Sequence, residues 1–298
     1  MLFRSWSGNA RPIPQVRAGF IDFVDIPFTK GWVQIKGELA YGKFMDNDFL
    51  RDHYNYYNQY ITTDALYHHK SISFRSNPDK PFVVTIGAEL AAQFGGTKRY
   101  YEKGILIDSL TMKSPTRLKD FFKILFPSSG DGQTNEGDQA YYYGNHVGQW
   151  NLSAEYRFKD NSSVRGYFEW YFDDASGMGK FNGWDGLWGL EYKSGKKNWL
   201  SNVVLEYLDM TNQSGPLNWC PSDYNDPKLD IEATGADDYY NNYFYNGWAH
   251  YGLSNGTAMA KSLLYNTDGY MRYKHNRIRG VHLDRKSTRL NSSHGKLS

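Results

Sequence analysis

The sequence predicts an all-β chain: an antiparallel up-and-down outer-membrane β-barrel, of which these residues form an incomplete part of a ring of about 16–18 strands. Three observations predict it. Apolar and polar residues alternate with period two in segment after segment. The segments run to about 9–12 residues, which suits a tilted strand crossing a bilayer better than the ~5–6 residues of an ordinary globular strand. Short polar turns alternate with long polar loops, the asymmetry of outer-membrane barrels.

Composition agrees. Aromatics make up 17 % of the 298 residues, and 25 Tyr are counted in the 40 % apolar share. Without Tyr, about a third of the chain is core-forming, low for a soluble domain. The 34 Lys and Arg against 32 Asp and Glu leave a net charge of +2, without the basic excess of a nucleic-acid binder. No run of 18 apolar residues is present, so no spanning helix is expected. The single cysteine, Cys220, can form neither an internal disulfide nor a cysteine-based zinc site.

The first strand is expected over residues 15–27. In residues 31–44, Val33, Ile35, Leu39 and Tyr41 alternate with Gln34, Lys36 and Glu38. Residues 64–74 read as a further strand. In 82–94, Val84, Ile86, Ala88, Leu90 and Phe94 share one face, while Thr85, Glu89 and Gln93 share the other. The clearest case is 149–158, with Trp150, Leu152, Ala154, Tyr156 and Phe158 opposite Gln149, Asn151, Ser153, Glu155 and Arg157. Residues 164–172 repeat the pattern with Phe168, Trp170 and Phe172 opposite Arg165, Tyr167 and Glu169. Weaker runs follow at 184–193 and 199–208, and the last strand is expected within 265–283, for about ten strands.

Turns at 159–162 and 193–198 are short and polar; the long loops are expected at about 95–147 and 211–242. One helix interrupts the pattern near 115–126. Ser114 can cap it, Pro115 suits its first position, and Leu118, Phe121, Phe122 and Leu125 repeat at helical spacing before Pro127 and Gly130 stop it. A loop or plug helix packed on the barrel is the expected reading, with a membrane-surface helix as the alternative. Aromatics at the run ends, including Trp32, Tyr41, Phe44, Phe158, Trp199 and Tyr207, suit the girdles of a barrel, where an apolar ring carries a polar N–H or O–H into the interface.

At Asp284 the texture changes. Residues 284–298 carry no aromatic and resemble a translated sequencing adapter, so the natural chain is expected to occupy 1–283 and to be an internal piece of a longer protein.

No phosphate-binding glycine loop, zinc motif or nucleophile elbow is present, so neither a cofactor nor catalysis is expected. His68 and His69 would point to opposite faces of a strand and cannot share a metal. Asp173-Asp174 and Asp237-Asp238 are paired carboxylates, the minimum a glycosidase would need. The polar loops are rich in Tyr, Trp, Asn and Asp, whose rings stack on sugars and whose polar groups pair with hydroxyls. The candidate carbohydrate contacts are Asp138, Tyr142, Tyr143, Asn145, His146, Trp219, Asp237, Asp238, Tyr239, Tyr240, Asn241 and Asn242.

An ordered set of segments across residues 10–283 carries a family resemblance. It includes Pro14-Gln15-Val16-Arg17-Ala18-Gly19, Lys36-Gly37-Glu38-Leu39, Leu50-Arg51-Asp52-His53-Tyr54-Asn55-Tyr56 and Ala91-Ala92-Gln93-Phe94-Gly95-Gly96-Thr97. Further on come Tyr142-Tyr143-Gly144-Asn145-His146, Gly183-Trp184-Asp185-Gly186-Leu187-Trp188-Gly189, Thr211-Asn212-Gln213-Ser214-Gly215-Pro216, Asp237-Asp238-Tyr239-Tyr240-Asn241-Asn242 and Tyr265-Asn266-Thr267-Asp268-Gly269-Tyr270. The chain resembles the capsule assembly Wzi family in its Bacteroidetes form. The resemblance implies a non-catalytic outer-membrane lectin whose partners are capsular polysaccharide and outer-membrane lipid. Against it stand a porin using the same barrel, a surface glycosidase, and a soluble β-sandwich whose apolar faces would meet in a shared core.

Overall fold

The computed structural model describes residues 8–53, 58–140, 142–173, 178, 183–196, 199–213, 217–219, 232–234 and 238–286. It is mostly antiparallel sheet. The strands are β1 (Gln15–Asp25), β2 (Val33–Lys43), β3 (Gln59–Ser76), β4 (Phe82–Glu102), β5 (Ile105–Leu106), β6 (Met112–Lys113), β7 (Asn145–Arg157), β8 (Ser163–Phe172), β9 (Gly186–Lys193), β10 (Asn202–Asp209), β11 (Leu217–Trp219), β12 (Glu232–Thr234), β13 (Ala249–His250), β14 (Leu253–Ser254) and β15 (Arg279–Lys286). The helices are α1 (Asn47–His53), α2 (Leu118–Leu125) and α3 (Glu136–Ala140).

One sheet of eleven strands runs in the order β1-β2-β3-β4-β7-β8-β9-β10-β15, with β5 and β6 also on β4, and every pairing is antiparallel. The sheet is open among the described strands, since β1 and β15 each pair on one side. The two small hairpins β11-β12 and β13-β14 stand apart from it.

Burial of this sheet is the reverse of a soluble protein's. The register aligns Leu152 with Ile86 and Phe168, and Ile35 with Phe74, so the apolar residues of neighbouring strands share a face. That face is exposed: Leu39, Ile72, Phe74, Ile86, Leu152, Leu190, Leu205, Val281 and Leu283 are all more than a third accessible. The polar phase is the covered one. Glu206 is fully buried, and His69, Gln149, Glu169 and Glu191 are nearly so. An exposed apolar surface continuous over this many strands far exceeds the patches of monomeric soluble proteins. Among the described residues, this face does not form the shared apolar core that the sandwich reading needs.

Several carboxylates on the polar face are paired with their neighbours. Arg17 Nε donates to Glu38 (3.1 Å). His69 lies between Glu38 and Glu89, with Nδ1 3.3 Å from Glu38 and Nε2 2.7 Å from Glu89. Glu206 accepts from Tyr167 Oη (2.5 Å) and pairs with His282 (3.0 Å), and Glu191 accepts from Asn202 (2.9 Å) beside Arg165. Buried charges persist only when partnered in this way.

Connections alternate in length. At one end the strands are joined by residues 26–32, 77–81, 158–162 and 194–201; at the other by 44–58, 103–144, 173–185 and 210–278. Exposed aromatics mark the short-turn end: Trp32, Phe82, Tyr156, Phe158 and Trp199. Several boundaries differ from expectation. Strand β3 begins five residues earlier than residue 64 and β4 runs on to Glu102, because their upper halves pair with each other from Gln59↔Tyr101 onward. The loop expected from residue 95 therefore starts after Glu102. Strand β15 extends past Leu283, with Asp284, Arg285 and Lys286 paired to Val204, Val203 and Asn202; residues 287–298 lie outside the described residues.

Of the expected loop or plug helix, the structure has a loop helix packed on the sheet; its start and the plug alternative require correction. Helix α2 starts three residues after Pro115, because Asp120 accepts the Arg117 backbone N–H (2.7 Å) and its guanidinium (2.9 Å). Ser114 is instead a partner of the buried Lys98 ammonium. The helix lies on the apolar face of the sheet, with Ile124 and Phe121 against Tyr41, Leu66, Ala92 and Phe94. What covers the polar face at the long-loop end is the segment 238–276. Its Tyr239, Tyr240, Trp248, Leu263 and Tyr273 form one cluster with Tyr67, Val147, Tyr171, Leu187 and Leu208 of the sheet.

A candidate glycan-binding cavity at the long-loop end

Where β7 begins, the loops converge on a cavity of about 360 Å³. Of the twelve candidates, Asp138, Tyr142, Asn145, His146, Asp238, Asn241 and Asn242 line it. They arrive from two loops separated by about a hundred residues. A second cavity of about 270 Å³ shares Asp238, Asn241, Asn242 and Tyr243 as a common wall.

The floor is buried and polar. Asn135 caps α3 by accepting the Asp138 backbone N–H (3.0 Å), and its own amide donates to Asp138 Oδ2 (2.7 Å). Asp138 Oδ2 also accepts from Tyr245 Oη (3.1 Å), which ties the two loops together, while Oδ1 accepts from Gly144 N (3.0 Å). Burial pushes the Asp138 carboxyl above its ordinary value, against the opposing pull of Lys98 and these donors. Gly144 has φ +91°, and a Cβ there would stand 2.6 Å from Gln93 O, so only glycine permits this approach to β4. Asn145 donates to Gln93 across the strand pair (3.0 Å). His146 Nε2 donates to Tyr143 O (2.9 Å), which leaves the buried Nδ1 as an acceptor without a partner among the described residues.

The rim is open. Tyr243 is 68 % accessible, Asn242 is exposed and Tyr142 is half-buried. Asn242 Oδ1 accepts from Phe244 N (2.9 Å) and Tyr245 N (3.1 Å), and Asn241 clamps Tyr273 by giving Nδ2 to its carbonyl and taking its N–H (both 2.8 Å). Asp238 accepts from Asn276 (2.5 Å) and pairs with Arg272 (3.2 Å).

Three candidates face the interior instead. Tyr143, Tyr239 and Tyr240 are at most 1 % accessible and offer no ring face to a ligand. Tyr143 Oη is spent on Pro115 O and Gly95 N (3.2 Å), and Tyr240 Oη accepts from Thr257 N (3.2 Å). Trp219 lies in β11, its side chain outside the described residues, and Asp237 is outside them altogether. Sequence reasoning missed Asn135, Tyr243 and Phe244 as lining residues, and it named Asp173 only as one of a carboxylate pair. Tyr243 carried a signal, standing next to Asn242 in the same aromatic and amide-rich run. Asn135 carried only its capping chemistry.

The cavity presents amide and carboxylate groups, an imidazole acceptor and an accessible ring, which together can pair with hydroxyls and stack on an apolar sugar face. The adjacent His68 and His69 part as expected: His68 Nδ1 bonds Ala40 O (3.0 Å), while His69 joins the two glutamates on the polar face. No metal-binding cluster occurs among the described residues. Comparison of the chain with known proteins found no matching family model, no matching curated relative and no matching solved structure.

Proposed function

We propose that the chain is part of an outer-membrane barrel that holds polysaccharide at the cell surface without chemically altering it. The observation that carries this reading is the inverted sheet, its apolar face exposed and its polar face covered. Water penalises such a surface and a hydrocarbon layer does not. The turn asymmetry supports the same orientation, with short turns on the periplasmic side and the cavity loops outside. The cavity supports a glycan ligand of the capsular kind, in keeping with the resemblance to capsule assembly proteins. Contacts at one cavity are few, so retention of a long polymer would come from repetition along the chain and across copies.

The packing of 238–276 across the polar face favours retention over transport, since a porin needs an open lumen. The test is deletion of the intact gene in an encapsulated host, followed by assay of polysaccharide in the cell pellet and the medium. Transfer of capsule from pellet to medium at unchanged total is the expected outcome. Unchanged pellet-bound capsule refutes retention, and single-channel conductance then decides for a porin.

A further inference from the structure

We infer that α2 is an interfacial helix, seated in the headgroup and acyl boundary of the outer leaflet beside the strands. The inference rests on the outer-membrane reading above. Four observations carry it. The helix packs on the exposed apolar face of the sheet, not on the polar face. Its outward stripe is apolar: Leu118, Phe122 and Phe126 recur at every fourth residue and are 76, 56 and 69 % accessible. Buried Asp120 and Ile124 lie on the side toward the protein. This is the residue distribution of a helix lying in a membrane surface.

The second observation is the girdle. At the short-turn end aromatics stand exposed along the sheet. At the long-loop end of β2, β4 and β8 the corresponding rings are covered, with Phe94 at 0 % and Phe172 at 2 % accessible. Over β2 and β4 the cover is α2, through Phe121 at 5.3 Å from both the Tyr41 and the Phe94 ring. The helix thus takes over the place of a girdle and presents Phe122 and Phe126 in its stead.

The third is Lys70. It occupies the apolar phase of β3, opposite Leu39 and Leu90, where a free ammonium would face lipid. It donates to the terminal carbonyls of α2, Ile124 O (2.8 Å) and Leu125 O (2.5 Å). The helix C-terminus satisfies the ammonium and the ammonium fixes the helix, a favourable pairing of charge with dipole. The fourth is charge. Arg117, Lys119 and Lys123 converge on Asp131, with Arg117 also on Asp120, so the polar edge carries more cationic than anionic groups. That edge suits the phosphates of an anionic leaflet.

Cys220 is the one native cysteine, so a Cys220→Ser background permits single nitroxide labels. The full chain is reconstituted in phosphatidylcholine/phosphatidylglycerol bilayers with a label at position 122, at 118, at 119, or at 152 in the middle of β7. Collision with oxygen is compared with collision with a water-soluble nickel chelate. The expected result is an oxygen-to-nickel ratio several-fold higher at 118 and 122 than at 119, with the highest ratio at 152. If 152 is lipid-shielded while 118 and 122 match 119, the helix faces water and the inference fails although the barrel reading stands. If 152 is itself open to nickel, both fail.

Discussion

Replacing Leu152 by arginine separates a lipid-facing sheet from a water-facing one. Leu152 lies mid-strand on β7, 39 % accessible, beside Ile86 and Phe168. The 13 residues of β7 at about 3.4 Å each make a strand of about 44 Å, which rises about 31 Å when tilted by about 45°. That matches a hydrocarbon layer of about 30 Å. Projected on the membrane normal at that tilt, Leu152 stands about 12 Å from the short-turn end and about 17 Å from the other. On the outer-membrane proposal it therefore lies close to the midplane, where arginine costs a barrel about 2–4 kcal/mol. In water, a half-exposed leucine on a sheet surface is replaced within about 0.5 kcal/mol. The assay is guanidinium unfolding of the bilayer-reconstituted chain, followed by tryptophan fluorescence. Leu152→Arg is expected to lose about 3 kcal/mol, a factor of roughly 150 in the equilibrium constant. A loss below about 0.5 kcal/mol would falsify the lipid-facing assignment.

Three further outcomes are expected. Gly189 lies under the Tyr167 ring, so close that an added Cβ would stand 2.0 Å from Tyr167 Cζ; Gly189→Ala should displace the ring, break the Tyr167–Glu206 bond and cost about 1–3 kcal/mol in the same unfolding assay. The hydrogen bond from Lys119, with further help from Gln133 N, Lys123 and Arg117, holds the Asp131 carboxyl well below the usual carboxylate range. A depressed acid stabilises the fold above its unfolded pKa near 4 and loses that contribution as pH falls toward the folded value. Protection factors of the α2 amides, taken relative to the intrinsic exchange rate at each pH, should accordingly fall below about pH 5 in the native chain, and an Asp131→Asn variant should show no such acid step. On the proposed function, Tyr243→Ala removes an exposed ring at the cavity rim and should weaken glycan binding by about 2–12-fold in calorimetric titration; wild-type affinity in that variant would exclude the rim from the site.

The sheet was legible because a strand has period two. Alternation in residues 149–158 and 164–172 fixed which side chains share a face, and the register Trp150↔Trp170 and Leu152↔Phe168 keeps to those faces. Half the candidate cavity was legible too, since Asp138, Asn145, His146 and Asp238 all carry polar chemistry in or beside the long loops. Composition could not separate Tyr142 from Tyr143, or Tyr240 from Tyr243. Within such a run one ring fills a core and its neighbour faces solvent, and the backbone path decides which.

By itself, then, the amino-acid order determined an all-β antiparallel chain with one apolar face, long strands and unequal connections, because these depend on local periodicity and turn chemistry. Tertiary structure alone decided which face is covered, that α2 lies against the apolar side, and that 238–276 closes over the polar one. Helical periodicity names the stripe that α2 buries but not the surface that receives it. That surface is chosen by contacts far apart in sequence, Lys70 with the carbonyls of Ile124 and Leu125 and Tyr245 with Asp138, whose energies no local window contains.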